Sequence, residues 1–174
     1  MGFDRACLGD LVELRRGFDL PAPARRPGAV PVVSSKGVTG RHDESRVRAP
    51  GVVTGRTGTL GRVFYLEPDF WPLNTTLFVA DFKGNDPRFV SLLLRSLPLA
   101  ALNDKAAVPG VHREHLHDLP VPRPPLRAQR ALAARLGLLE RRAAVLARME
   151  RVLGRMAGAL VAAAPPGPPR RDAE

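Results

Sequence analysis

The stretch LRAQRALAARLGLLERRAAVLARMERVLGRMAGAL, residues 126–160, contains no proline and places Leu132, Leu139, Leu146, Leu153 and Leu160 at intervals of seven. Leu136 and Ala143 fall four residues after the first two of these, which completes a heptad seam. Strict seven-residue spacing drifts around a straight 3.6-residue helix, so the stripe stays coherent only if the helix supercoils against a second one. A helix of about 35 residues would extend about 50 Å. The alternative is a helix packed on its own domain. Glu150 lands where the seam should be apolar, and Ala143 and Ala157 are small. Eight arginines face only Glu140 and Glu150 along this stretch. Two parallel copies in register would therefore set Arg near Arg, and antiparallel pairing is expected.

Upstream of the helix, the composition changes. Pro120, Pro122, Pro124 and Pro125 fix φ and push their predecessors toward extended backbone, which reads as a semi-rigid linker. Before them, short apolar runs broken by Gly, Pro, Asn and Asp predict strands near 30–33, 52–54, 62–66 and 77–80. Asp86 and Pro87 form an N-cap and first-turn pair, and Phe89, Val90, Leu93, Leu94 and Leu97 repeat at helical spacing, so a helix is expected over 87–97. The expected organisation is α+β. One compact, strand-rich domain of mixed α/β character (1–122) is followed by a linker and long coiled-coil helix (123–162) and a disordered Pro-rich tail (163–174).

The chain has 174 residues, 44% of them hydrophobic, enough for one domain with a real core. Its formal net charge of +10 comes almost wholly from arginine, since Lys36, Lys83 and Lys105 are the only lysines. A polyanionic partner is one explanation. Codon bias in a GC-rich genome is another, and the abundance of Ala, Pro and Gly fits it equally well. The single cysteine, Cys7, excludes an intrachain disulfide and a thiolate metal site. No apolar leader opens the chain and no run is long enough to span a bilayer, so a cytoplasmic protein is expected.

Several strings, read in order, carry a family resemblance: LGDLVELRRG (8–17), PVVSSKGVTG (31–40), GVVTGRTGTLGRVFY (51–65), FWPLNTTLFV (70–79), AVP (107–109) and LPVPRPPLRAQ (119–129). Followed by a heptad helix, they resemble the specificity subunits of type I restriction-modification systems. The resemblance covers nearly the whole chain. It implies a non-catalytic, sequence-specific reader of double-stranded DNA that directs separate methyltransferase and restriction subunits. In that family a full subunit alternates two target-recognition domains with two long helices that pair antiparallel as a spacer. The one domain and one helix here resemble half of that arrangement. Two copies about a two-fold axis would rebuild it and read a palindromic site with a fixed gap. A truncated gene product, which would stay monomeric, is the alternative. After AVP this sequence has Gly110, Val111 and His112 where many relatives carry a Thr and an Asn, which puts base contacts from this loop in doubt.

The candidate DNA-contacting residues are Ser34, Ser35, Lys36, Arg56, Thr57, Thr59, Asn74, Thr75, Lys105, His112 and Arg113. In GRTGTLG, Gly55, Gly58 and Gly61 surround Arg56, Thr57 and Thr59. Glycine permits close approach and positive φ, while Arg and the hydroxyls reach phosphates or base edges. A plain hairpin would also explain those glycines. The loop lacks the Lys-Ser/Thr ending of a nucleotide-binding P-loop. Ser34, Ser35 and Lys36 suit similar contacts, as do Asn74 and Thr75, although residues 74–76 also read as a buried polar turn. Lys105, His112 and Arg113 would neutralise backbone charge, and Arg113 could be bidentate to guanine.

Rival chemistries are weaker. Asp69, Asp81 and Lys83 formally match the PD…DxK pattern of Mg-dependent nucleases, but the intervening FWPLNTT gives no clean second strand. His112, His115 and His117, with Glu114 and Asp118 beside them, suggest a metal site, but the histidines do not share one helical face and a solvated turn is the expected reading. No cofactor motif is present. A coiled-coil adaptor that binds no DNA remains open, because the helix carries more of the positive excess than residues 1–125 do.

Overall fold

A computed structural model describes residues 2–102 and 110–163, with residues 160, 161 and 163 described only as helical backbone. The expectations for Lys105, the AVP string and residues 164–174 lie outside the described residues, as does that for the Leu160 side chain. The chain divides into two compact units, Met1–Ala133 and Ala134–Glu174.

Within the first unit, strands β1 (Arg5–Cys7), β2 (Glu13–Arg16), β3 (Val30–Ser34), β4 (Gly37–His42), β5 (Gly51–Gly55), β6 (Val63–Leu66), β7 (Trp71–Pro72), β8 (Thr76–Asp81) and β9 (Pro120–Pro122) build three sheets. The main sheet runs β2-β8-β5-β6 and is antiparallel throughout. A smaller sheet, β4-β3-β7, pairs β3 antiparallel with β4 and parallel with β7, and β1 pairs antiparallel with β9. Helices α1 (Leu8–Leu11), α2 (Pro87–Ser96), α3 (Arg113–His117) and α4 (Leu126–Ala163) complete the described elements.

The period-2 alternation of the strands divides the core in two. Leu14, Val52, Leu77 and Val79 lie on one side of the main sheet, packed with Leu8 and Leu11 of α1 and with Phe89, Val90, Leu93 and Leu94 of α2. Val53 and Phe78, the intervening residues, lie on the other side with Val33, Leu66 and Phe70. Each fully buried Leu or Phe contributes about 1.5–3 kcal/mol, so these two layers hold the main sheet in place. A Cβ on Gly51 would sit 2.0 Å from the Phe70 ring, so only glycine lets β5 pass under that ring.

The four expected strands and the helix after Asp86 are all present, each shifted by one or two residues at most. Asp86 caps α2 by accepting a hydrogen bond from Phe89 N at 2.9 Å. Two readings are corrected. Pro120–Pro122 is a strand rather than a linker: Val121 is buried opposite Ala6, and flanking bonds from Leu8 N to Leu119 O and from Arg123 N to Asp4 O hold the pair where proline cannot donate. The histidine segment is helix α3 rather than a solvated turn. Leu116 there is fully buried, and His117 Nε2 accepts a bond from Leu14 N at 3.1 Å.

The start of α4 belongs to this first unit. Gln129 is buried, accepts from Asp86 N at 2.9 Å and donates to Asn85 Oδ1 at 2.7 Å and Pro124 O at 2.9 Å. Ala133, one turn on, is buried in the larger core layer.

In the second unit α4 continues without a break to Ala163. Its seam side chains are exposed in the single chain, at 57% for Leu139 and 61% for both Leu146 and Leu153. Val145, Met149, Val152 and Met156 are exposed as well. At 100° per residue they lie beside the leucines, so the apolar face of this helix is wider than the seam of a two-stranded coiled coil.

Candidate nucleic-acid interface

The GRTGTLG loop leaves β5 at Gly55 and is held by backbone bonds on both sides. Arg56 N and Thr57 N donate to Thr75 O at 2.9 and 3.2 Å, and Arg56 O accepts from Val111 N at 2.8 Å. Thr57 also forms an isolated antiparallel bridge with Gly110. This lacing joins three segments far apart in sequence: the loop after β5, the turn before β8, and the segment entering α3.

The glycines of the loop serve its tightness. A Cβ on Gly55 would lie 2.0 Å from Thr59 O, and Gly58 has φ +78°, in the left-handed region that glycine adopts freely. The Gly55 turn packs beside Ser35, whose Cβ would be 3.3 Å from the same added atom, so the buried Ser35 of the β3–β4 hairpin is brought against the loop. Arg62 Nη1 donates to Lys36 O at 3.3 Å and fastens the hairpin from the other side.

Where the three segments meet there is a cleft of about 160 Å³. Leu77 and Val111 form its apolar floor, and Arg16, Arg56, His112, Arg113 and Glu114 line the rest. Arg56 is braced by its own Nε, which donates to Asn74 O at 3.2 Å. Arg113 Nε donates to Glu114 Oε1 at 2.8 Å. That bond holds the Glu114 carboxyl below the usual carboxylate range, with the adjacent His112 acting in the same direction. The cleft is thus lined by three guanidiniums and one ionised carboxylate. An apolar floor under a cluster of cations strengthens their field on an incoming anion.

Of the sequence-derived candidates, Arg56, His112 and Arg113 share this cleft, and Thr57, Asn74, Thr75 and Ser35 adjoin it. Asn74 acts as a tie: its amide Nδ2 donates to Asp19 Oδ1, and its carbonyl holds Arg56. The Thr75 hydroxyl is buried and has no hydrogen-bond partner among the described residues. Ser34 Oγ is occupied within its own turn, accepting from Lys36 N and donating to Gly37 O. The carbonyl of Thr59 closes the loop against Gly55, and Thr59 does not line the cleft. Sequence reasoning left Arg16 out of the candidates and weighed Glu114 only as a metal ligand. The signal for Arg16 was the Arg-Arg-Gly ending of LGDLVELRRG, whose register on a strand was not read.

The nuclease pattern is dispersed into local contacts. Asp69 accepts from Ala49 N, Asp81 accepts from Lys83 N, and Lys83 Nζ donates to Gly9 O. Among the described residues no group of three or more His, Cys, Asp or Glu could hold a metal ion, and no helix is long and apolar enough to cross a membrane.

An antiparallel sheet packed against short helices and followed by a long helix is a fold shared with solved structures of type I restriction-modification systems. The S subunit of a type-I restriction-modification system from M. genitalium is similar over 87% of this chain and 42% of that one, with a TM-score of 0.73 and 19% identity. A chain of a type I R-M system solved for its complex assembly and conformational transition is similar over 89% and 43% (TM-score 0.68, 19% identity). The HsdS subunit from Thermoanaerobacter tengcongensis is similar over 85% and 40% (TM-score 0.65, 18% identity). The present chain thus spans about two fifths of each. Comparison with curated proteins found no significant match. Residues 2–149 match the type I restriction modification DNA specificity domain, and the chain belongs to that family.

Proposed function

We propose that this chain reads double-stranded DNA in a sequence-specific manner as the specificity component of a type I restriction-modification assembly. It carries no catalysis of its own and directs separate methyltransferase and restriction subunits in the cytoplasm. The observation that carries this reading is the cationic cleft. Three sequence-distant segments are laced together by backbone bonds so that Arg56, His112 and Arg113 converge on one apolar-floored concavity. Phosphate contacts set register and base contacts set specificity, and a rigid cleft of arginines serves both.

The reading domain is residues 1–122, with the first turns of the long helix packed on it, and the remainder of that helix acts as a spacer. Two copies pair antiparallel through Leu132, Leu136, Leu139, Leu146, Leu153 and Leu160, so that the read site is palindromic with a constant gap. The exposure of Leu139, Leu146 and Leu153 in the single chain supports this pairing. Val145, Met149, Val152 and Met156 widen the apolar face and leave room for a helix of a partner subunit beside the second copy.

The test is fluorescence anisotropy of the full chain on labelled duplexes of different sequence across a salt series. Affinity that differs between sequences and falls steeply with salt is expected. Arg56→Ala and Arg113→Ala should each cost about 1–3 kcal/mol of binding, roughly 5- to 150-fold in Kd. Duplex binding that ignores both sequence and these substitutions contradicts the proposal.

A further inference from the structure

Arg16 ends β2, an edge strand of the main sheet, where it stands opposite Leu77 of β8. The next residue, Gly17, passes so close to the neighbouring chain that an added Cβ would lie 2.2 Å from Leu73 O. Gly17 N also donates to Thr76 O at 3.1 Å. This tight passage fixes the end of β2 against the turn that braces Arg56, so the cleft receives one guanidinium from each side of that turn.

The Arg16 side chain has no hydrogen bond or ion pair among the described residues, although it lines the cleft. Its neighbour Arg15 pairs with Glu13, Arg26 with Asp43 and Glu44, and Arg88 with Glu67, while Arg46 lies over the Trp71 ring. Arg56 spends only Nε on Asn74 O. Of the three guanidiniums in the cleft, only that of Arg113 is paired with a carboxylate, Glu114. Two guanidiniums without carboxylate partners over an apolar floor suit one anionic group with several acceptor oxygens.

We infer that Arg16 and Arg56 form a clamp for a phosphodiester of the bound duplex, an inference that rests on the DNA-reading function proposed above. Glu114 neutralises the third guanidinium and limits the cleft to a single phosphate. Arg16 is thus a sequence-independent contact that sets the register in which Arg113 meets a base edge.

The salt series above, repeated with Arg16→Ala, Arg16→Lys and Glu114→Gln in the full chain, tests the clamp. Arg16→Ala should weaken binding by about 5-fold or more at low salt, to the same extent for every duplex, and reduce the salt slope by about one. Arg16→Lys should recover most of the affinity, because a point charge still binds phosphate. Glu114→Gln should tighten binding by a few-fold without changing sequence preference. Melting temperatures should be unchanged for the Arg16 variants, since that side chain is exposed and unpaired among the described residues. If the wild type discriminates between duplexes and Arg16→Ala binds equally, or changes only the preference between sequences, the clamp is refuted and the DNA-reading function stands. A wild type that binds no duplex overturns both.

Discussion

Replacing Gln129 by Leu removes the polar tie between the first turn of α4 and the rest of the domain while keeping most of the side-chain volume. Three hydrogen bonds vanish, to Asp86 N, Asn85 Oδ1 and Pro124 O. The damage extends further, because Asn85 Nδ2 itself donates to Leu11 O at 2.8 Å and Phe82 O at 3.0 Å, and its carbonyl loses the partner that orients it. A buried donor or acceptor left unsatisfied costs about 1–3 kcal/mol, and water entering at the half-buried Asn85 and Asp86 recovers part of this. The leucine gains some apolar burial. The net loss expected is about 3 kcal/mol, or roughly 10 °C in Tm for a domain of this size. Urea unfolding followed by far-UV circular dichroism measures it, with Gln129→Glu as a companion that keeps the acceptor for Asp86 N and loses both donors. A Gln129→Leu loss below about 1 kcal/mol would refute the claim that this amide holds α4 to the domain.

Gly55→Ala should destabilise the first unit by about 1–3 kcal/mol, read by the same unfolding assay, because the added methyl would meet Thr59 O at 2.0 Å and force the loop open. Leu146→Asp combined with Leu153→Asp should convert a dimer to a monomer in sedimentation velocity while leaving the melting of the strand-rich unit unchanged. Each leucine buried in the seam is worth about 1.5–3 kcal/mol and is lost in both copies.

The long helix was legible because its seven-residue leucine spacing depends on local periodicity alone, and the strands around Val32, Val53, Phe64 and Phe78 because each is a short apolar run set off by nearby Gly, Pro, Asn or Asp. The short elements were not. The pairing of β1 with β9 joins Ala6 to Val121 across more than a hundred residues, and no local pattern marks two prolines as strand ends. Leu116 looked like one apolar residue among histidines, and only tertiary packing makes it the buried anchor of α3. At the candidate cleft, Arg56 and Arg113 were singled out by residue type. Their sharing of a cleft depends on the Arg56–Val111 and Arg56–Thr75 backbone bonds, which a linear reading cannot supply. Arg16 was missed for the same reason, since its side is decided by the β2–β8 register.

The most direct measurement is selection from a pool of duplexes randomised over a window longer than two helical turns, using the full chain at near-physiological salt. Enrichment of one short sequence together with its inverted repeat, at a constant separation, is the result expected of a two-fold pair of readers held on paired helices. A pool that emerges without an enriched sequence, though the chain retains DNA throughout, would contradict it.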